Sequence, residues 1–94
     1  MVKTLELLRR LIEVKRKLEQ DGGRDNALKE RYYDLFNRVY RRQVRGRQSG
    51  NLYVIVDVGF CGHPACEGGI IAPSPTEPGR LTFVHLSNLE KAEP

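Results

Sequence analysis

The sequence predicts an α+β fold in which an N-terminal antiparallel helical hairpin packs on a small antiparallel β-sheet. Two observations lead to this prediction. Residues 3–20 and 27–44 repeat apolar side chains at the spacing of an amphipathic helix, with a glycine-rich turn between them. Beyond residue 51 the apolar side chains come instead in short β-branched and aromatic runs, which glycine and proline interrupt.

The first helix is predicted from an apolar stripe along residues 3–20. Its central members recur at spacings of four, three and four: Leu7, Leu11, Val14 and Leu18. Gly22 or Gly23 can adopt the left-handed conformation that ends a helix. Asp25 or Asn26 can then accept hydrogen bonds from the free N–H groups that open the next one. Because this connection is short, we expect the two helices to be antiparallel neighbours.

The second helix is predicted from Ala27 to Val44. Its apolar face comprises Leu28, Tyr32, Leu35, Phe36, Val39 and Tyr40. Cationic residues collect toward its C-terminal end, where the helix dipole favours positive charge.

The strands are predicted in the second half of the chain. Leu52–Val58 is β-branched and apolar on both faces, and Arg80–Leu86 has a similar composition. Gly59–Gly79 between them is predicted as a long loop rich in glycine and proline, within which Gly69–Ala72 is a candidate third strand. We expect the tail after Asn88 to fray. Apolar side chains on both faces of a strand need two covers. One is the hairpin and the other is the long loop or a second protomer, so a homodimer is a further prediction.

Charge divides this predicted single domain, residues 1–94, into a basic helical hairpin and a strand–loop–strand part. Residues 1–47 have a net charge of +7, and residues 48–94 have −3. Four arginines stand at helical positions i, i+3, i+4 and i+7, and a fifth follows: Arg38, Arg41, Arg42, Arg45 and Arg47. Like charges this close repel, so the pattern favours an anionic partner. Further cations extend the surface, at Arg9, Arg10, Arg16 and Lys17.

Two classes of partner suit this cationic surface. Nucleic acid would be bound through its phosphates, because the planar guanidinium group can bond two oxygens, and Tyr40 could stack on a base. Alternatively, the chain is an adaptor or inhibitor that docks on an acidic protein, including one that handles nucleic acid. A face that only confers solubility is the third interpretation. The leading hypothesis is a small, non-enzymatic regulatory protein that contacts nucleic-acid backbone more than bases.

The densest chemical motif is Cys61-Gly62-His63-Pro64-Ala65-Cys66. This C-x-H-x-x-C spacing places three good zinc ligands within six residues. The fourth ligand could be His85, Asp57 or Glu67. In a plain hairpin His85 would lie roughly 13 Å from the base of the loop, at about 3.3 Å per residue, so the loop would have to fold back to reach it. Free thiols and a Cys61–Cys66 disulfide are the alternatives.

Several classes of function are disfavoured. No orienting group or oxyanion donor accompanies the Cys61–His63 pair, so we expect no enzyme and no small-molecule substrate. Charges interrupt the apolar residues at the N-terminus, which argues against a secretory signal, and no apolar run is long enough for a membrane span. We therefore expect a cytoplasmic protein without a membrane partner.

Overall fold

The computed structural model describes residues 3–62 and 66–91 and confirms the α+β class, with two helices followed by two small antiparallel three-stranded sheets. The helices are α1 (Thr4–Asp21) and α2 (Asn26–Val39). The strands are β1 (Gln43–Gly46), β2 (Leu52–Val54), β3 (Asp57–Gly59), β4 (Gly69–Pro73), β5 (Leu81–His85) and β6 (Leu89–Lys91). A 3-10 turn, Leu86–Asn88, joins β5 to β6.

The turn of the helical hairpin forms as predicted. Gly22 has a left-handed φ of 70°, and the Gly23 N–H donates to the Leu18 carbonyl oxygen at 2.9 Å. The Asp25 carboxylate accepts from the N–H groups of Ala27 at 2.9 Å and Leu28 at 3.2 Å, which satisfies two donors at the start of α2. Local side-chain chemistry therefore sets both ends of the connection.

The prediction that the second helix continues to Val44 was wrong, because α2 ends at Val39. Arg41 has a φ of 66°, and its N–H donates to the Ile55 carbonyl oxygen at 2.7 Å. The Ile55 N–H in turn donates to the Arg42 carbonyl oxygen at 2.9 Å. Leaving the helix here lets β1 pair with two strands and bury Val44 completely. These long-range bonds and this burial outweigh further turns of a strongly cationic helix.

The predicted strand Leu52–Val58 is extended but belongs to two sheets. Its first part is β2 in the sheet β2-β1-β6, and its last part is β3 in the sheet β3-β4-β5. Between them the Val56 N–H donates to the Ile71 carbonyl oxygen at 3.0 Å, so the chain crosses from one sheet to the other without a turn. Leu52 remains 47% exposed, so the expected cover on both faces does not reach that end.

The predicted long loop is interrupted by β4, which confirms the candidate third strand. Strand β4 lies in the middle of its sheet and pairs antiparallel with both β3 and β5. The predicted strand at Arg80–Leu86 is confirmed as β5. The expectation of a frayed tail after Asn88 was wrong for residues 89–91, because β6 pairs with β1 and Leu89 is 1% exposed. Residues 92–94 lie outside the described residues.

One continuous core joins the hairpin to the sheets, since α1 contacts both β3 and β6. Its fully buried side chains come from both halves of the chain: Leu8, Leu11, Val39, Val44, Ile55, Val58, Ile70 and Leu89. Within residues 3–62 and 66–91, neither helix combines the length and the apolar character that crossing a bilayer requires.

Candidate metal site and cationic surface

The Cys–His loop, residues 60–68, joins β3 to β4 and carries both cysteines. The register aligns Gly59 with Gly69 and Gly69 with His85, so β3 ends, β4 begins and β5 ends in one row. Cys61 lies two residues beyond β3, and Cys66 three residues before β4. The antiparallel order of this sheet therefore brings both cysteines to the histidine that ends β5.

The three side chains form a compact set of ligand atoms. The sulfur atoms of Cys61 and Cys66 and a ring nitrogen of His85 all lie within 4.8 Å of one another. The Cys66 Sγ is 4.0 Å from the His85 Nδ1. Zinc bonds of about 2.3 Å to sulfur and 2.0 Å to nitrogen place tetrahedral ligand atoms roughly 3.5–3.8 Å apart. Small side-chain movements would therefore close this set around a metal ion.

His85 lies closer to the Cys–His loop than a plain hairpin predicts. In that hairpin the predicted strands Leu52–Val58 and Arg80–Leu86 would pair directly, whereas in the structure β4 lies between β3 and β5. This places His85 opposite Gly69, at the base of the Cys–His loop. The sequence supplied the candidate ligands, and the sheet order supplies the proximity of three of them.

Cys66 lies in an environment that favours a thiolate. Its Sγ accepts from the N–H of Cys61 at 3.2 Å and from the N–H of Gly68 at 3.4 Å. Contacts with the thiol and N–H of Cys61 lower the pKa of Cys66, and Gly68 N–H and the Arg16 guanidinium act in the same direction against the effect of burial. Cys61 is exposed and Cys66 is buried, and both are free thiols. The thiolate is the form that binds metal.

Basic side chains of α1 support the Cys–His loop. Arg16 donates through Nη2 to the Cys66 carbonyl oxygen at 2.9 Å, and its guanidinium carbon lies 4.9 Å from the centre of the Phe60 ring. The Lys15 ammonium donates to the Val58 carbonyl oxygen at 2.7 Å. These contacts hold the loop against the hairpin, and they involve Arg16, which was predicted to extend the partner-binding surface.

Gly68 is a structural residue that the sequence analysis missed. Its φ is 91°, and a Cβ there would lie 2.6 Å from the Ile12 Cγ2. Its N–H faces the Cys66 sulfur, and its carbonyl oxygen accepts from the Leu86 N–H at 3.0 Å. The signal in the sequence was the pair Gly68–Gly69, two residues beyond the second cysteine, because glycine adopts a positive φ without strain.

The other ligand candidates differ in their surroundings. His63 lies outside the described residues. The Asp57 Oδ1 accepts from the Val58 N–H at 2.8 Å. The Glu67 carboxylate accepts from the Ser87 N–H at 2.7 Å. Hydrogen bonding to the Ser87 side chain and to this N–H, together with the nearby His85 and Arg9, lowers the pKa of Glu67 against the effect of burial. Among the described residues, neither carboxylate joins the cluster of ligand atoms.

The arginines predicted on one helical face are distributed over α2, the connection that follows it, β1 and the turn after β1. Only Arg38 is in α2, where it forms an exposed ion pair with Asp34 at 3.4 Å. Arg41 and Arg42 occupy the connection to β1 and are exposed. The Arg41 guanidinium lies 5.4 Å from the centre of the Tyr40 ring, and the Arg42 Nη1 donates to a Thr4 hydroxyl at 3.5 Å.

Of the remaining two arginines, one lies in β1 and the other in the turn directly after it. Arg45 is half-buried in β1. Arg47 donates through its backbone N–H to the Asn88 carbonyl oxygen at 2.8 Å and through Nε to the Leu89 carbonyl oxygen at 3.2 Å. Arg47 therefore helps to hold β6 on β1. On α1 the predicted cations Arg9, Arg10 and Lys17 are exposed, and Lys17 pairs with Glu13 at 3.5 Å.

Comparisons with protein families, with curated proteins and with solved structures give no match for this chain.

Proposed function

We propose that this chain is a non-enzymatic, zinc-stabilised protein that binds the phosphate backbone of nucleic acids. The exposed guanidinium groups that follow one another at the end of α2, on Arg38, Arg41 and Arg42, carry the proposal. Their nearest partners within the chain are easily exchanged. They are an exposed carboxylate, an aromatic ring and a hydroxyl group at the limit of hydrogen-bonding distance.

Phosphate suits these groups better than their partners within the chain do. An exposed ion pair such as Arg38–Asp34 contributes about 0–1 kcal/mol, so exchanging it for phosphate costs little. Arg41 and Arg42 can each present two parallel N–H groups to phosphate oxygens. The excess positive charge of residues 1–47 would also attract a polyanion over a longer range.

Zinc is the metal that fits the Cys–His loop. Two thiolates and an imidazole are soft and borderline ligands, which select zinc over magnesium or calcium. Cys61, Cys66 and His85 would supply three ligands, and His63 is our candidate for the fourth. A closed site of four protein ligands leaves no open coordination position, so its role would be to hold the loop and not to catalyse a reaction.

The surroundings of Cys66 also argue for a ligand and against a nucleophile. Its side chain is buried, and its sulfur already accepts two backbone N–H groups. A nucleophilic thiolate must be open to its substrate, whereas a structural metal ligand benefits from burial and from such N–H groups.

The zinc part is tested by metal analysis of protein purified without chelator or metal-affinity resin. We expect about one zinc ion per chain in the wild type, and little in Cys66→Ser or His85→Ala. Asp57→Asn, which changes a nearby carboxylate outside the cluster, serves as the control and should retain zinc. A wild-type ratio near zero would overturn this part.

The nucleic-acid part is tested by fluorescence anisotropy with labelled duplex DNA, single-stranded DNA and RNA over a range of salt concentrations. The double variant Arg41→Gln/Arg42→Gln is compared with Arg24→Gln/Arg80→Gln, which removes equal charge from other exposed sites. We expect the first pair to weaken binding and to reduce the salt slope by roughly 1.4–1.8, since each phosphate contact contributes about 0.7–0.9. The variant Arg24→Gln/Arg80→Gln should change the affinity and the salt slope far less.

Two results would contradict the nucleic-acid proposal. Equal effects of the two double variants would mean that net charge alone attracts the polyanion. No binding by the wild type at low salt would remove nucleic acid as a ligand and favour the acidic protein partner.

A further inference from the structure

Helix α2 presents a row of aromatic rings along one side. Tyr32 stacks on Phe36 with ring centres 6.0 Å apart and planes 24° apart, and Phe36 stacks on Tyr40 at 5.6 Å and 25°. Tyr33 stands beside this row, with its ring edge-on to Tyr32 at 5.5 Å. Whereas Tyr32 and Phe36 pack against the core, Tyr33 is 62% exposed and Tyr40 is 42% exposed.

An open cleft of about 450 Å³ adjoins the first of these rings, where the end of α1 meets the start of α2. Its volume falls within the range of roughly 300–1,000 Å³ that suits a planar organic group. Apolar atoms of Leu18, Tyr32 and Tyr33 contribute to its lining, together with Lys15, Lys29 and one carboxylate, that of Glu19. The cleft therefore combines aromatic surface with two cationic groups.

Cations also stand at the opposite end of the aromatic row. Arg41 lies over the ring of Tyr40, with Arg38 in the same turn region. The 14 residues of α2 span about 21 Å at roughly 1.5 Å per residue. A ligand that follows α2 from the cleft to Arg41 would thus meet positive charge at both ends and aromatic rings between them.

We infer that the ligand of this surface is a single-stranded nucleic acid, with one base stacked on Tyr33 at the cleft and phosphates on Lys29 and Arg41. This inference rests on the proposed function and specifies its substrate class. A single strand exposes the flat faces of its bases, whereas a duplex covers them by stacking, so only the single strand can use an exposed tyrosine ring. The charge complementarity selects a polyanion, and the rings select one with planar apolar faces.

The test compares a single-stranded DNA oligonucleotide with an abasic oligomer of the same length and charge, and with the corresponding duplex. Wild type, Tyr33→Ser and Tyr33→Phe are titrated by anisotropy at one salt concentration. We expect Tyr33→Ser to weaken binding of the single strand about 5- to 150-fold, the range of one stacked base. Tyr33→Phe keeps the ring and should bind as the wild type does. Circular dichroism of each variant checks that α2 is retained. We expect it to be retained, because Tyr33 is exposed.

The outcomes separate the two proposals. Binding of the abasic oligomer should be insensitive to Tyr33→Ser, because it offers no base to stack. If the wild type binds the abasic oligomer, the duplex and the single strand equally, and Tyr33→Ser changes none of them, the backbone proposal stands and the stacking inference is overturned. If the wild type binds none of the three at low salt, both fail.

Discussion

The helical hairpin and the Cys–His loop differ in what holds them in place. In the hairpin, neighbouring residues suffice to shape the turn, with Gly22 ending one helix and Asp25 capping the next. In the Cys–His loop, the contacts join residues far apart in sequence. Arg16 donates to the Cys66 carbonyl oxygen, and the Cys66 sulfur faces His85. Local patterns therefore specify the first region, and sheet register specifies the second.

This difference separates two sources of stability. The hairpin relies on apolar burial, which needs no ligand and is shared with both sheets. Among the described residues of the Cys–His loop, Cys66 is the one with a buried side chain, and the loop gathers potential metal ligands instead. We expect changes in the core to affect the whole chain and changes at the loop to depend on metal.

Removing a core side chain from α1 should have the largest effect. Leu8 is fully buried, so Leu8→Ala should lower the free energy of unfolding by about 2–5 kcal/mol, as loss of packing leaves a cavity. Urea denaturation followed by circular dichroism measures this loss. Leu81→Ala is the matched control, since Leu81 is 66% exposed and its truncation should cost less than about 0.5 kcal/mol. Similar losses in both variants would contradict a core centred on α1.

Metal removal should come next and should act on the Cys–His loop. With zinc at a concentration about a hundredfold above its Kd, chelation should remove roughly 3 kcal/mol of stability. Thermal unfolding with and without chelator measures the shift. Far-UV circular dichroism below the transition should keep the helical signal, because the hairpin has its own contacts. The thermal stability of Cys66→Ser should be insensitive to chelator. If the wild type is equally insensitive, metal does not stabilise the Cys–His loop.

Gly68→Ala tests the close packing of the loop on α1. The added methyl group combines an unfavourable positive φ with a clash against Ile12. Gly62→Ala is a matched control with a φ of 90°, and its new Cβ would meet no side chain of the described residues within 4 Å. We expect both to cost about 1–2 kcal/mol for backbone conformation. Gly68→Ala should cost a further 1–3 kcal/mol or so for overpacking, measured by denaturant titration. If Gly68→Ala and Gly62→Ala lose the same unfolding free energy, the Ile12 side chain can move aside without loss of stability.

The smallest expected effect concerns the hairpin turn. Asp25→Ala removes the acceptor for two N–H groups at the start of α2 and should cost about 1 kcal/mol. Asp25→Asn keeps an oxygen at the same place and should remain close to the wild type. The difference between the two variants in thermal unfolding measures the cap itself. No difference between alanine and asparagine would mean that tertiary contacts, and not the cap, position α2.

The sequence alone was sufficient where structure follows from neighbouring residues. The apolar repeat of α1, a helix end at Gly22 or Gly23 and a cap at Asp25 or Asn26 were all predicted, because helical period and capping are local properties. The strands β4 and β5 were predicted for the same reason, from short apolar runs bounded by glycine or proline. The ligand types of the Cys–His loop were also visible, since thiol and imidazole chemistry belongs to the side chains themselves.

Only the tertiary structure decided where α2 ends and which sheet each strand joins. The spacing of the arginines fits a helical face, but pairing of β1 with β2 and β6 buries Val44 and ends the helix earlier. The tertiary structure also decided that β4 lies between β3 and β5, which brings His85 to Cys61 and Cys66. Strand pairing joins residues distant in sequence, and its energy depends on partners that no local pattern names. For this physical reason the candidate ligands could be predicted from the sequence, whereas their proximity in the folded chain could not.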